Sequence, residues 1–475
     1  MPDRRPNILF IMTDDHAAHA MSCYGSRINA TPHMDRIAED GMRLDSCFCT
    51  NSICSPSRAT ILTGQYEHVH GVRTLADNLD RTRTTFATLL RDAGYQTALV
   101  GKWHLGTAPE NRPRGFDYWT VLPGQGLYHD PLMHEMDPHD PDRGVEKTLQ
   151  GYVTDVITDI ALDWLRRRDR ERPFCLLVHH KAPHRHWEPD EKHAAMYDDI
   201  EIPPPDTLHD DYQHRATAAR IARMRVGEHM NEKDLKRPVP QGLRGRDLRE
   251  WAYQLYIKDY LRTIASVDDN IGRLLDALDA EGLAEDTVVV YTSDQGFFLG
   301  DHGWYDKRFF YEESLRMPLL VRYPREIPAG STSDAMALNL DFAQTFLDYA
   351  GVEAPADMMG RSLRPVLAAS TPRDWRTAMY YRYWMHLAHH NVCAHYGVRT
   401  HRHKLIYYYG LPLDASGAVD PPMQPEWELF DLDRDPQEMH SVYDRSAYAP
   451  TVAELKDELR RLREEVGDLS APWDA

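Results

Sequence analysis

The chain has 475 residues, 42% apolar and 27% charged, an ordinary globular composition with room for one large α/β domain and a smaller companion. A formal charge of −19 excludes a nucleic-acid partner, which needs a basic surface, but leaves open a small anion held by a local cluster of cations and metal. No apolar run is long enough to span a membrane, and Ile8 to Met12 is too short for a signal-peptide core, so a cytoplasmic protein with no membrane partner is expected.

Taken in chain order, "NILFIMT" (7 to 13) reads as a buried strand that empties into Asp14-Asp15. "CFCTNSICSPSRATILTG" follows, with three of the six cysteines. Its C-x-C-x4-C spacing is not a zinc-finger or ribbon pattern, and no second pair follows. Cys23, Cys47, Cys49, Cys175 and Cys393 read as small buried hydrophobes. "TTFATLLRDAGY" has helical spacing and a glycine stop, and "QTALVGKWHLG" is a second strand. "PFCLLVHHKAPH" repeats the plan of an apolar strand followed by a histidine-bearing loop. Residues 185–250 are rich in Pro, His and charge and read as a long excursion over the active-site face. A helix is predicted over 251–282, with Ile264, Val267, Ile271, Leu274, Leu275 and Leu278 on one face and Gly282 at its end. "DTVVVYTSDQG" is a further strand running into acidic residues, and "MPLLVRYP" another. After about residue 370, alternating aromatic and polar residues predict antiparallel strands, and "TVAELKDELRRLREEV" a closing amphipathic helix.

Strands separated by helices predict an α/β fold, a large mostly parallel sheet sandwiched by helices, with a smaller C-terminal subdomain of antiparallel strands and a helix. The expected division is 1–370 for the catalytic domain and 371–475 for the subdomain. Ligands of such sheets bind beyond the carboxyl ends of the strands. Those ends carry Asp14-Asp15, Lys102 to His104, His179 to His184 and Asp294-Gln295. Four strands delivering polar groups to one edge say more than any single motif.

Asp14, Asp15, Asp294 and Gln295 form an all-oxygen donor set suited to a hard divalent cation rather than to zinc. Lys102, His104, His184, Lys307 and Arg58 supply positive charge, hydrogen-bond donors and imidazoles fit for binding and protonating an oxyanion ester. With 25 histidines in the chain, a structural role is presumed for most of them.

"CSPSRATILTG" resembles the sulfatase signature, C-x-P-S-R followed by a helix. "NILFIMTDDH", "GKWHLG", "HKAPH" and "TSDQG…HGWYDK" are similar to the family's other ordered motifs, so the likeness extends over nearly the whole chain. Gln295 stands where many sulfatases carry Asn or His, and an amide oxygen keeps the site all-oxygen. The resemblance implies a type I sulfatase of the alkaline phosphatase superfamily, with Cys54 converted to Cα-formylglycine by a formylglycine-generating maturation enzyme. It implies metal binding by Asp14, Asp15, position 54, Asp294 and Gln295, with Ca2+ ahead of Mg2+ or Mn2+. In that scheme Arg58 steadies the hydrated aldehyde and Lys102 and Lys307 neutralise sulfate oxygens. His184 with Lys307 protonates the leaving alcohol, and His104 takes the proton that releases sulfate.

The C-terminal aromatic stretch and "HKAPHRHWEP" resemble carbohydrate sulfatases of the N-acetylglucosamine-6-sulfatase type, which implies a small-molecule sulfate ester, a 6-O-sulfated sugar, as substrate. His302, His386, His395 and Arg399 are candidate sugar contacts, and a role in supporting the small sheet is equally open for the last three. Alternatives are a phosphonate monoester or phosphodiester hydrolase of the same superfamily, an aryl or choline-like alkyl sulfatase, a Cys54 thiolate enzyme, and a non-catalytic binding protein. The oligomeric state is left open, a homo-oligomer included.

Overall fold

The computed structural model describes residues 5–472. Its main sheet has ten strands: β1 (Asn7–Thr13), β2 (Met42–Leu44), β3 (Gln96–Lys102), β4 (Tyr118–Leu122), β5 (Leu132–Asp137), β6 (Asp140–Thr148), β7 (Phe174–His179), β8 (Thr287–Ser293), β9 (Leu319–Arg322) and β10 (Ser331–Ser333). The order across the sheet is β10-β2-β9-β8-β1-β7-β3-β4-β5-β6. The five central strands, β8, β1, β7, β3 and β4, run parallel. Each of the apolar runs β1, β3, β7 and β8 is buried along its whole length, as strands covered on both faces must be. Along β1 the side chains alternate between two cores. Ile8, Phe10 and Met12 enter one, while Leu9 and Ile11 enter the other.

Two strand assignments differ from the simplest reading of the sequence. The "MPLLVRYP" strand, β9, runs antiparallel to β8. The connection after Ser293 stays on the carboxyl edge of the sheet, where it forms part of the site, so the chain re-enters from that edge and must run back. The β5–β6 hairpin, antiparallel at the sheet margin, carries Asp, Glu, Arg and Lys and gave no apolar signal.

The signature cysteine opens helix α1 (Cys54–Thr63), all ten residues of which are buried. Helix α2 (Val153–Arg167) and the long α3 (Gly245–Ala280) pack together on the Leu9–Ile11 side, and the predicted apolar stripe of α3 is buried there. Helix α3 begins six residues earlier than the pattern indicated; its C-cap is Glu281, and Gly282 follows at φ +67°. The C-terminal strands β11 (Ala378–Tyr383), β12 (His395–Thr400), β13 (His403–Tyr408) and β14 (Glu426–Asp431) form a second, antiparallel sheet in sequence order. Helix α4 (Ala449–Val466) packs on β11 and β12. No helix among the described residues is long and apolar enough to cross a membrane.

The small sheet buttresses the site. Arg382 N donates to Thr50 O (3.0 Å), and the Tyr381 hydroxyl donates to Arg308 O (2.7 Å) while accepting from Ser52 N (3.1 Å). The 185–244 stretch has little regular structure beyond short helices at Thr217–Ile221 and Glu232–Leu235. It is tied to the same sheet through Ala216 N, which donates to Glu428 Oε1 (2.7 Å).

Gly101, beside the catalytic candidate Lys102, has φ +108°, and a Cβ there would lie 2.0 Å from His179 O on the neighbouring strand. Gly101→Ala is expected to destabilise the fold by about 3 kcal/mol, because neither the backbone angle nor the strand spacing can adapt cheaply. A denaturant titration showing less than about 0.5 kcal/mol of change would contradict this packing.

Candidate active site

Five parallel strands end at one edge and bring the polar groups together. Asp14 and Asp15 follow β1, Lys102 closes β3, Gln125 lies beyond β4, His184 beyond β7, and Asp294-Gln295 beyond β8. Asp14, Asp15, Asp294 and Gln295 are fully buried. Oxygens of the three carboxylates lie within 4.8 Å of one another, and the same limit holds for Asp14, Cys54 Sγ and His184. Asp15 N donates to Asp294 Oδ1 (3.2 Å), and the Gln295 amide donates to Asp15 Oδ1.

Three cations face these three carboxylates. Lys102 is paired with Asp14, Lys307 Nζ lies 2.6 and 2.7 Å from the Asp15 oxygens, and Arg58 Nε donates to Asp294 Oδ2 (2.8 Å). Arg58 also donates to Lys102 O (2.8 Å). It sits one helical turn after Cys54, so both residues present to the same face of α1. Pro56 lies in the first turn, where its missing N–H costs no helical hydrogen bond.

The electrostatics are those of a desolvated, nearly balanced cluster. Burial raises Asp14, but Lys102, with Arg58 and Lys307, overcomes it and holds this carboxyl well below its ordinary range. Burial lifts Asp15 to about 6 against the pull of Lys307, with the Asp14 charge adding to the rise. Burial, then the charge on Asp14, lifts Asp294 to about 8. Burial lowers Lys307, yet Asp15 and Asp306 more than restore its proton affinity. Burial pushes the unmodified Cys54 thiol to about 11 despite Lys102 and Lys307, so the sulfur is a neutral thiol at pH 7.

Both imidazoles are neutral. Burial, then Lys102, holds His104 well below its ordinary value, and burial does the same for His184. His184 Nδ1 lies 2.8 Å from Arg185 O, which can only accept, so Nδ1 carries the proton and Nε2 faces Asp15 Oδ2 at 3.8 Å. His104 adjoins the N-terminus of α1, where Ser55 Oγ donates to His104 O (2.8 Å). Asp15 (φ 70°), His104 (56°), Asp306 (81°) and Arg308 (95°) all take positive φ, so the site holds backbone strain, as do several loops elsewhere in the chain.

Two buried acceptors in the cluster, Asp14 Oδ1 and Gln295 Oε1, have no hydrogen-bond partner. Orphaned acceptors cost free energy unless a donor or cation meets them. A hard divalent cation fits this donor set.

Residues 6–352 match the sulfatase family model. The chain belongs to the sulfatase family. Residues 300–465 also match the model for the C-terminal part of N-sulphoglucosamine sulphohydrolase. This sulfatase is 44% identical to the N-acetylglucosamine-6-O-sulfatase of Bacteroides thetaiotaomicron, over 98% of this chain and 87% of that protein. It is 29% identical to human N-acetylglucosamine-6-sulfatase, over 80% of this chain and 67% of the human one. A structure solved in complex with its substrate, D-glucosamine-2-N,6-O-disulfate, superposes with a TM-score of 0.91 at 43% identity, covering 98% of this chain and 99% of that one. The chain is therefore a sulfuric ester hydrolase.

Residues outside the candidate set also reach the site of this sulfatase. Gln125 Oε1 accepts from Lys102 Nζ. It follows β4, a fifth parallel strand ending at the same edge. Asp306 and Arg308 flank Lys307, are buried, and pair with each other (Nε to Oδ1, 3.0 Å). His390 Nε2 lies 3.2 Å from Asp306 Oδ2.

The four candidate sugar contacts are engaged elsewhere. His302 Nδ1 lies 2.8 Å from Arg215 Nη1, with Nε2 3.5 Å from Glu313. His386 receives Ala394 N (3.2 Å) and faces Pro421 O (3.2 Å). His395 receives Phe310 N (3.1 Å) and donates to Cys393 O (2.8 Å). Arg399 grips Glu312 at 2.8 and 3.0 Å. Each holds the small sheet or the 302–312 loop in place. The remaining cysteines are unpaired thiols, four of them buried and Cys23 half-buried.

Proposed function

We propose that this sulfatase removes the 6-O-sulfate of glucosamine-type sugars, with formylglycine at position 54 and a calcium ion held by Asp14, Asp15, Asp294 and Gln295. The observation that carries the substrate reading is the 44% identity to an N-acetylglucosamine-6-O-sulfatase across 98% of this chain. Magnesium and manganese would occupy the same oxygen set less well, because two residue pairs from two strand ends supply an irregular oxygen set that calcium accepts, whereas magnesium demands a near-ideal octahedron. The cation supplies Lewis acidity toward the nucleophile and neutralises charge. The hydrated aldehyde, made from Cys54 by a formylglycine-generating enzyme, supplies one hydroxyl to take the sulfate and a second through which the site is regenerated.

The chain's own residues do the rest. With the carboxylates occupied by a cation, the Lys102 and Lys307 ammonium groups are available to the sulfate oxygens, where they offset charge as the ester bond breaks. Arg58, anchored by Asp294 and Lys102 O, presents its buried, unpartnered Nη2 beside position 54. His104, neutral and next to the start of α1, is the base for the second hydroxyl. His184 keeps its Nδ1 proton on Arg185 O, so its Nε2 can carry a proton between Lys307 and the leaving alcohol. Asp306 and Arg308, rigidly paired beside Lys307, are placed to hydrogen-bond sugar hydroxyls.

A substrate panel tests this reading. Matured enzyme is expected to prefer N-acetylglucosamine 6-sulfate over its 3-sulfate isomer and over 4-nitrophenyl sulfate, choline sulfate and a phosphodiester by at least about 100-fold in kcat/KM. Highest turnover on the phosphodiester would overturn it.

Metal binding should depend on pH. Asp15, at about 6, and Asp294, at about 8, must lose their protons before they can act as ligands. Cation affinity of the apo-protein is therefore expected to rise with pH, more steeply below about 6 where both carboxyls are protonated, by about tenfold per unit from about 6 to 8 where only Asp294 is, and to level off above that. Calorimetry showing pH-independent affinity from 6 to about 8 would contradict this assignment of ligands.

A further inference from the structure

A cavity of about 680 Å3 lies beside the catalytic cluster, bounded among others by Gln125, Tyr128, Lys181, His184, Arg185 and Lys233. Gln125, which binds Lys102, and His184, which faces Asp15, belong to both cavity and cluster, so the two spaces adjoin. The cationic wall is unevenly compensated. Arg185 is neutralised by Asp234 through two contacts (3.1 and 2.6 Å), and His186 bonds the same carboxylate at 2.9 Å. Among the described residues Lys181 has no carboxylate within ion-pair distance, though the exposed Glu188 also lines the cavity and raises the proton affinity of Lys181 from farther off. Lys181 is 3% exposed, and its ammonium makes one long hydrogen bond, 3.4 Å to Arg185 O, while lying 4.7 Å from the centre of the Tyr128 ring.

An ammonium has three donors, and burying one with its charge unpaired is costly. Burial pulls Lys181 down to about 8, so it still carries its proton at neutral pH. The ring face of Tyr128 offsets part of the cost but leaves two of the three donors without a hydrogen-bond acceptor among the described residues. An anion entering the cavity would satisfy them.

Building on the glucosamine 6-O-sulfatase reading, we propose that this cavity is an anion subsite in which Lys181, with Lys233 at the rim, binds a second negative group of the substrate. That group is a sulfate or carboxylate carried either on the same ring or on the neighbouring sugar. The subsite then sets preference among 6-sulfated sugars without taking part in ester cleavage.

The test compares kcat and KM for N-acetylglucosamine 6-sulfate, glucosamine-2-N,6-O-disulfate, and a disaccharide joining a uronic acid to N-acetylglucosamine 6-sulfate. Wild-type enzyme is expected to favour one doubly anionic substrate by at least about tenfold, mainly through KM, and the favoured substrate shows which ring carries the anion. Lys181→Met should bring that ratio to within about threefold of one, Lys181→Arg should restore much of it, and Lys233→Ala should lower it by about twofold. If Lys181→Met lowers the melting temperature, Lys181→Gln, which keeps donors but not charge, is expected to give the same loss of preference. Equal loss on all three substrates, or no wild-type preference for either dianion, would overturn the subsite. Absence of wild-type turnover on every 6-sulfate would instead sink the substrate reading beneath it, and the subsite too.

Discussion

Cys54→Ala enzyme is expected to lose at least about 10^4-fold in kcat/KM on N-acetylglucosamine 6-sulfate, with its melting temperature within a few degrees of wild type. The two expectations rest on different physics. Position 54 is the first residue of α1, where alanine is a good helix former, and the substitution removes only one buried sulfur from a helix held on all sides. Function, by contrast, depends wholly on what position 54 becomes. An alanine can form no aldehyde, and no other side chain in the cluster combines a hydroxyl nucleophile with the neighbouring cations. Retention of more than about 1% of wild-type kcat/KM would show that another group attacks the ester. A melting temperature lowered in step with activity would show that the loss came from unfolding instead.

The second large effect is expected at Asp294. Its carboxylate holds Arg58 (Nε to Oδ2, 2.8 Å), accepts from Asp15 N (3.2 Å) and belongs to the carboxylate triad. Asp294→Asn keeps the shape and removes the charge that the carboxylate carries above its pKa of about 8 or with a cation bound, leaving the buried Arg58 guanidinium without its counter-ion under those conditions. Breaking one side of a buried pair costs about 3 kcal/mol or more, so a marked fall in stability is expected at about pH 9, where Asp294 is ionised, and a smaller one at neutral pH. Loss of a ligand charge should also lower calcium affinity and reduce kcat/KM by at least about 10^3-fold. Excess calcium should recover part of the activity but not the stability lost through Arg58 in the apo-protein. Wild-type metal content and an unchanged melting temperature would contradict both roles.

How much of this was legible in the sequence depended on where each residue stands relative to an apolar run. Asp14-Asp15, Lys102, His184 and Asp294-Gln295 follow strands so uniformly apolar that strand and site could be read together, and the parallel sheet then required their convergence. Gln125 obeys the same geometry, but β4 ends in "VLPGQG", where proline and glycine read only as a turn. The direction of β9 was not legible, because periodicity carries no sign along the chain; the route of the 294–318 connection decides it. The β5–β6 hairpin escaped notice because a half-exposed margin needs no continuous apolar face. His395 shows the limit for histidines. A sugar contact and support of the small sheet were equally open for it from the sequence, and both ring nitrogens bind main chain, at Phe310 N and Cys393 O. Alternation fixes which residues share a face of a strand, and only packing fixes what that face meets. The opposite holds for Asp306 and Arg308, whose place beside Lys307 in "YDKR" was a usable signal.

The signature helix joins these parts. Its N-terminus lies under the converging strand ends, Arg58 connects Asp294 with Lys102 O, and the small sheet fixes the preceding loop through Thr50 and Ser52. Unmodified Cys54 in that setting, pushed to about 11 by burial, is a poor nucleophile. The most direct test of the account is therefore the mass of the peptide carrying residue 54, measured across preparations of differing specific activity. A species about 18 Da below the sequence mass, the change from thiol to aldehyde, is expected, its fraction rising in direct proportion to activity. Full activity in a preparation where residue 54 is entirely an unmodified thiol would contradict it.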